Sequence, residues 1–384
     1  MKLFNFLFFG NISFGQGSIK KLNSIISQEG YKSLAIIIDH NLLNVNAINE
    51  IIDNLKSDFK VIVIECEISE PTYEVLDKKR ININNDDQID AFIGIGGGSA
   101  IDMAKALSVL YTNNKPAIHY RGFNQFNNPI RPIIAIPTTA GTGSEITPNA
   151  SFIDTKEKKK LGINGEGIRP KYAILDPVLT LSCPRSPTVS AGIDSMVHAT
   201  EAFVAKDTNP MAQLFAKEGF KKVIKNLPLV AEDLDNIEFR ENVMYGAFLS
   251  AIALMNSGTG PAAALSYPLG VHYGVPHGIG GGIFLPFVVE HNINNGFYEY
   301  GNLFCPSNKK GNSKKEKSAA FLDNLNDIWS KLNVPKNLNK FGLNRDGVTE
   351  FVDNTMDLIG ALDQNPVTFY EKEIISLLKK LVRN

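Results

Sequence analysis

The first half of the chain alternates short apolar runs with longer amphipathic segments, and this order constrains the fold more than any other feature. The apolar runs are rich in β-branched residues and lie at 33–39, 61–64, 91–96 and 132–137. Helical patterns separate them, for example at 42–55 and 100–111. A continuous apolar run favours a strand that is buried on both faces. Strands that alternate with helices therefore predict a parallel sheet with helices on both sides.

The second half has a different pattern, which begins after Asp176–Pro177. Helical periodicity with almost no strand signal follows, at 192–206, 211–226, 237–255 and from 325 onwards. A chain of 384 residues commonly forms two domains. We therefore predict an α/β dinucleotide-binding domain over residues 1–177 and an all-helical domain over residues 178–384.

The overall composition excludes several classes of protein. Lysine and arginine number 39 against 40 aspartate and glutamate, so the net charge of −1 provides no global attraction to nucleic acid or anionic lipid. No apolar run approaches the ~18 residues that a bilayer span requires. The cysteines Cys66, Cys183 and Cys305 are too scattered for a disulfide framework. We expect a soluble, cytoplasmic protein without nucleic-acid or membrane partners.

A glycine-rich turn, Gly96–Gly97–Gly98–Ser99, follows the third apolar run and opens a helical segment. Residues without a Cβ let the backbone approach a phosphate, and the first N–H groups of the helix point towards the anion. The turn differs from the G-x-G-x-x-G fingerprint and follows the third strand rather than the first. It predicts a dinucleotide-binding site of a different type from the G-x-G-x-x-G sites. Tight strand-to-helix turns that bind no ligand also use glycines, which is the alternative interpretation.

A second loop of small residues, 137–145, follows the fourth apolar run. Its hydroxyl side chains are Thr138, Thr139, Thr142 and Ser144. Alone it could be a Ser/Thr-rich turn, but two such loops at the carboxyl ends of strands in one sheet favour a cofactor site. Asp39 ends an earlier strand, where a carboxylate can accept from a ribose 2′-OH and repel a 2′-phosphate. This position favours NAD over NADP.

Asp194 and His198 are four residues apart in an apolar helical segment. This spacing places a carboxylate and an imidazole on one face of a helix, where burial requires a partner for them. His277 is a third candidate, in a turn that proline and glycine make rigid. One carboxylate and two imidazoles suit Fe(II) or Zn(II). A structural Asp–His hydrogen bond without metal is the alternative interpretation.

Four blocks of this sequence, at 96–105, 137–147, 191–202 and 268–285, resemble the iron-containing (group III) alcohol dehydrogenases. The resemblance covers nearly the whole chain in the same order. It implies an N-terminal dinucleotide-binding domain, an all-helical C-terminal domain, a dehydroquinate synthase-like architecture and an active site in the cleft between the domains. It also implies NAD(P)-dependent interconversion of an alcohol and an aldehyde or ketone.

The resemblance also implies roles for individual residues. Gly96, Gly97, Gly98 and Ser99 hold the pyrophosphate, and Thr138, Thr139 and Thr142 approach the adenine and nicotinamide portions. Lys160 lies beside the cofactor. Asp102 and Ser144 belong to the same two motifs, and we assign them to the cofactor site as well. Asp194, His198 and His277 match metal ligands.

The sequence departs from the family at the remaining metal ligand, a histidine that is Ala263 here, and at a second histidine that is Tyr267 here. Two interpretations follow. Either a three-ligand site is completed by water or by a chelating substrate, or the metal is absent and Tyr267 donates the proton. We expect weak metal binding and name Tyr267 and His277 as catalytic residues. His272 is expected to be an exposed turn residue.

Hydride transfer between nicotinamide and a carbonyl carbon is the predicted reaction. A cyclase or lyase similar to dehydroquinate synthase is one alternative, but it needs a cluster of basic residues that the helical half does not show. A silent nucleotide-binding protein without metal is another, supported by Ala263. The resemblance allows phosphonoacetaldehyde or a sugar-derived aldehyde as substrate. The small residues at 262–264 should also leave room in the pocket for a bulkier or charged substrate. We expect a homodimer.

Overall fold

The computed structural model describes residues 3–8, 10–67, 70–83, 88–306 and 313–382. The chain forms two compact units, Phe9–Pro184 and Arg185–Asn384, and the segment Met1–Phe8 belongs to the second. No helix of the described ranges has the length and apolar character that crossing a lipid bilayer would require.

Strands occur only in the first unit among the described residues. They are β1 (Asn11–Phe14), β2 (Ser33–Asp39), β3 (Lys60–Cys66), β4 (Ala91–Gly96), β5 (Gly122–Phe123), β6 (Ile133–Pro137), β7 (Asn149–Asp154), β8 (Lys159–Asn164) and β9 (Tyr172–Leu175). Six of them form one sheet in the order β1-β9-β6-β4-β2-β3, and every pairing in it is parallel. The predicted parallel sheet is confirmed, and β2 and β4 have the predicted bounds.

Helices cover both faces of this sheet. They are α1 (Leu22–Gln28), α2 (Asn46–Asp58), α3 (Tyr73–Arg80) and α4 (Gly98–Thr112). Ala35 and Ile37 of β2 join one buried cluster with residues of α3 and α4, whereas Leu34, Ile36 and Ile38 join another with residues of α1 and α2. Because successive side chains of a strand point to opposite faces, a strand that is apolar at every position can be buried on both.

A small second sheet contains β5, β8 and β7, in that order. The β7–β8 pair is antiparallel and the β5–β8 pair is parallel. The sequence did not indicate these strands. In β8 the charged residues Lys159 and Lys160 and the glycine Gly162 interrupt the apolar pattern, and only alternate residues of β7 are fully buried.

The second unit contains only helices in its described residues, as predicted for the C-terminal half. They are α5 (Arg185–Val204), α6 (Pro210–Glu232), α7 (Ile237–Met255), α8 (Pro261–Tyr273), α9 (His277–Asn294), α10 (Tyr300–Leu303), α11 (Lys314–Lys331), α12 (Val348–Met356), α13 (Ile359–Leu362) and α14 (Glu371–Leu381). One prediction here is wrong. His277 does not lie on a turn, because the chain leaves α8 through left-handed Gly274 and His277 is the first residue of α9.

Candidate functional site

The turn from β4 to α4 requires glycine for two different reasons. Gly96 has a φ of +148°, and a Cβ there would lie 2.8 Å from Ala100 Cβ and 2.9 Å from Asp39 Cβ. A Cβ on Gly98 would lie 2.9 Å from both Cγ2 and Oγ1 of Thr142. The turn is therefore in close contact with the end of β2 and with the loop after β6. These contacts place the predicted residues Asp39 and Thr142 beside the predicted phosphate loop.

The two predicted cofactor loops lie side by side. Gly96 and Pro137 are paired in the β4–β6 register, and the Thr138 N–H donates to the Gly96 carbonyl at 2.9 Å. A Cβ on Gly97 would contact Thr139 Oγ1 at 3.4 Å. Backbone N–H groups at the start of α4 thus share one edge of the sheet with several hydroxyl groups. This arrangement is suited to binding an anion such as a pyrophosphate.

Asp102 and Ser144 contact each other, which the sequence did not indicate. Ser144 Oγ donates to Asp102 Oδ1 and accepts from Lys105 Nζ at 3.0 Å. Asp102 Oδ2 also accepts from the Ser151 N–H at 2.9 Å. These hydrogen bonds fix α4 to the loop after β6. The assignment of Asp102 and Ser144 to the cofactor site stays a prediction.

Lys105 belongs to this network and was missed in the sequence. Its side chain is fully buried, and Nζ also donates to the carbonyls of Thr147 at 3.0 Å and Asn149 at 2.7 Å. Burial lowers the pKa of Lys105 to about 8, and nearby Asp102 opposes that change. A lysine three residues after Asp102 in an apolar helix is the signal that could have revealed it.

Lys160, which the resemblance places beside the cofactor, lies in β8. Its Nζ is 3.1 Å from Glu70 Oε1. Burial raises the pKa of the Asp102 carboxyl, and Lys160 is among the groups that oppose this rise. Lys160 is thus near the Asp102 network, and its contact with a cofactor stays a prediction.

Asp194, His198 and His277 form a compact group in the second unit, with ligand atoms that lie within 4.8 Å of one another. Asp194 Oδ1 is 3.5 Å from His198 Nε2 and 3.8 Å from His277 Nε2. These separations are long for hydrogen bonds. They are close to the ~3.4 Å expected between two tetrahedral ligands that each lie about 2.1 Å from one ion. The donor set and its spacing fit a divalent metal better than a direct Asp194–His198 hydrogen bond.

Glycines in α9 bring His277 to this group. A Cβ on Gly278 would lie only 2.0 Å from the Ser190 carbonyl oxygen and 2.9 Å from Asp194 Cβ. A Cβ on Gly280 would lie 2.9 Å from Ser266 Cβ. The start of α9 can therefore approach α5 and α8 closely only because these positions lack side chains.

Two residues of α8 contact His277. Ser266 Oγ lies 2.6 Å from His277 Nδ1. The ring of half-buried Tyr267 meets the imidazole edge-on, with centroids 4.9 Å apart. Tyr267 was identified from the sequence, whereas Ser266, whose hydroxyl group follows the apolar run 261–265, was missed.

Glu201, one turn after His198 on α5, was also missed. Its carboxylate accepts from the N–H groups of Gly260 at 2.8 Å and Ala262 at 2.7 Å, and from Thr259 Oγ1 at 3.0 Å. Burial raises the pKa of Glu201, and these hydrogen bonds oppose the rise. Glu201 therefore caps the start of α8, where Ala263 lies in the first turn. A lone charged side chain in the apolar segment 199–204 was the available signal.

The prediction that His272 is an exposed turn residue is wrong. His272 lies in α8 with its side chain 13% exposed. Its Nε2 is 3.1 Å from Asn354 Nδ2 of α12. The side chain is thus engaged in a contact between helices.

Both halves of the chain match one protein family. The family profile of iron-containing alcohol dehydrogenases covers residues 10–177, and that of the Fe-containing alcohol dehydrogenase family, C-terminal, covers residues 188–382. The NAD-dependent methanol dehydrogenase of Bacillus methanolicus is 31% identical over 279 residues, which are 73% of each chain. The sulfoacetaldehyde reductase of Bilophila wadsworthia is 31% identical over 294 residues, which are 76% of each chain.

A solved structure agrees with these matches. The sulfoacetaldehyde reductase from Bifidobacterium kashiwanohense in complex with NAD+ has a TM-score of 0.88 and 25% identity, with 100% of each chain covered. The predicted resemblance is therefore confirmed in both halves. This chain belongs to the iron-containing alcohol dehydrogenase family.

Proposed function

We propose that this enzyme uses NAD to interconvert an alcohol and an aldehyde or ketone, at a divalent metal held by Asp194, His198 and His277. The observation that carries the proposal is the convergence of these three ligand atoms within 4.8 Å. The similarity to an NAD-dependent dehydrogenase and to a reductase solved with NAD+ supports the choice of cofactor.

Each unit contributes a separate part of the chemistry. Bound NAD would supply or accept a hydride at the substrate carbon, and bound Fe(II) or Zn(II) would act as a Lewis acid towards the substrate oxygen. The N–H groups at the start of α4 would bind the pyrophosphate, and Asp194, His198 and His277 would hold the ion. Tyr267, beside His277, passes a proton to the oxygen, or fills space while water passes the proton.

The test is oxidation of NADH by the purified enzyme with a panel of aldehydes, in the presence of Fe(II) or Zn(II). Asp194→Asn should lower turnover by at least ~10³-fold, because an amide lacks the negative charge with which a carboxylate binds Fe(II) or Zn(II). NADH affinity should stay within twofold of the wild type. If the enzyme reduces none of the aldehydes in the panel, that result would favour a silent nucleotide-binding protein.

For the substrate, we propose a short aldehyde that carries an anionic group, with phosphonoacetaldehyde and sulfoacetaldehyde as the first candidates. Two sulfoacetaldehyde reductases among the similar proteins support this class. Ala263 supports it as well, because a methyl group in place of an imidazole leaves more room. The family assignment favours the dehydrogenase over the cyclase. The homodimer and the cytoplasmic location stay predictions.

The enzyme should bind NADH more tightly than NADPH, and Asp39→Gly should narrow that preference about tenfold by removing a repelling charge. Asp39 Oδ1 also accepts from the Asn41 N–H at 3.0 Å, so the glycine variant loses a turn contact too. Asp39→Asn keeps an oxygen there and removes only the charge, which makes it the matched control. Calorimetric titration measures all six affinities, those of the three proteins for NADH and for NADPH. Tighter binding of NADPH by the wild type would contradict the role of Asp39.

Metal occupancy should be weak and exchangeable, because three protein ligands hold an ion less firmly than four. Ala263→His should supply a fourth ligand and raise the metal content after dialysis several-fold, and Ala263→Gln is the control of similar size. Elemental analysis gives the metal content. Full activity of the wild type after exhaustive chelation would instead favour a mechanism centred on Tyr267.

Tyr267→Phe removes one hydroxyl group and keeps the ring against His277. If the hydroxyl passes the proton, turnover should fall ~10²-fold with unchanged NADH affinity. Tyr273→Phe, in the last turn of α8, is the control and should keep wild-type turnover. Equal turnover of Tyr267→Phe and the wild type would show that the ring only fills space.

A further inference from the structure

Ser266 lies between a backbone carbonyl and a candidate metal ligand. Its side chain is almost completely buried. Its Oγ is 2.6 Å from the Ala263 carbonyl oxygen and 2.6 Å from His277 Nδ1. Both separations are those of close hydrogen bonds, so each contact needs one hydrogen atom.

The hydrogen atoms can be placed by counting donors. A serine hydroxyl has one hydrogen, and a carbonyl oxygen has none. The contact with the Ala263 carbonyl therefore takes the hydroxyl hydrogen of Ser266. The contact with His277 must then use a hydrogen on Nδ1. A neutral imidazole has a single N–H, so Nε2 of His277 keeps its lone pair.

The lone pair faces the candidate metal site, because His277 Nε2 is the atom that lies 3.8 Å from Asp194 Oδ1. We infer that Ser266 is a positioning residue that selects the Nδ1–H form of His277 and directs its Nε2 towards the metal. A hydrogen bond from the second ring nitrogen is the usual means by which proteins fix a metal-binding histidine. The inference takes one element from the proposed function, namely that a metal ion binds at this site.

The surroundings of Ser266 keep this geometry in place. The absence of a side chain on Gly280 lets α9 lie against Ser266. The Tyr267 ring meets the imidazole at an interplanar angle of 83° and restricts its rotation. The other candidate histidine differs, because His198 Nδ1 is buried and has no hydrogen-bond partner within the described ranges. His277 is thus held in a defined orientation for metal binding more firmly than His198.

The first test observes the tautomer without metal. The chain has 6 histidines, so protein labelled with ¹⁵N only in histidine gives few ring signals. Loss of one set of signals in His277→Gln assigns them. We expect Nδ1–H in the wild type and a mixture of tautomers in Ser266→Ala. A wild-type His277 with its hydrogen on Nε2 would overturn the inference, whatever the metal does.

The second test measures metal affinity by titration with Zn(II) and by the visible spectrum of Co(II)-loaded protein. Ser266→Ala should weaken binding ~10- to 100-fold and change the Co(II) spectrum. Ser250→Ala is the matched control, because buried Ser250 also donates to a backbone carbonyl, that of Gly246 at 2.8 Å. Wild-type affinity in Ser266→Ala would overturn the inference. No binding to wild-type protein would overturn the proposed metal site, and the tautomer test would still decide the role of Ser266.

Discussion

Gly98→Val should raise the dissociation constant of NADH at least ~100-fold, a loss of about 2.7 kcal/mol of binding free energy. The sequence suggests that a branched side chain would occupy the place of the phosphate. The structure adds a second cause, because a Cβ on Gly98 would already lie 2.9 Å from two side-chain atoms of Thr142. Either the start of α4 or the loop after β6 must then move, and both belong to the predicted cofactor site.

Calorimetric titration with NADH measures this loss. Gly360→Val is the control, since a Cβ on Gly360 would meet no atom within 4 Å beyond its chain neighbours and the backbone of its own helix. The double variant Gly98→Ala with Thr142→Gly, compared with each of the two single variants, separates the two causes. Recovered binding would assign the loss to Thr142, and continued weak binding would assign it to the phosphate. Near-wild-type affinity of Gly98→Val would contradict the phosphate site itself.

Glu201→Gln should lower the free energy of unfolding by about 2–4 kcal/mol. Oε2 accepts from the Gly260 N–H, and Oε1 accepts from the N–H groups of Ala262 and Ala263. Every backbone partner is therefore a donor. In either orientation the amide NH₂ of glutamine faces another N–H, and a buried donor is left unpaired.

Urea unfolding measures this change as a lower midpoint with an unchanged slope. Glu218→Gln is the control, because the Glu218 side chain on α6 is 43% exposed and contacts Lys221 at 3.5 Å. Its effect should stay within about 0.5 kcal/mol. A similarly small effect of Glu201→Gln would show that α8 does not depend on this cap.

The sequence predicted the bounds of strands and helices best where one local hydrophobic pattern was sufficient to define them. The run 33–39 is apolar enough to be a buried strand in any parallel sheet, and the structure gives β2 the same bounds. The helix 237–255 was predicted with equal accuracy. By contrast, α9 begins with His277–Gly278, and further glycines lie at 280–282. Glycine is a poor helix former, so the helix there depends on its close contact with α5.

Sequence alone therefore determined the α/β and helical halves, the glycine-rich turn and the face shared by Asp194 and His198, because each depends on residues that are near in the chain. Tertiary structure decided the contact of Ser266 with His277, the cap by Glu201 and the burial of Lys105. These partners are 11, 59 and 39 residues apart. Such hydrogen bonds form only after the helices and loops have packed, because side-chain atoms must meet within about 3 Å.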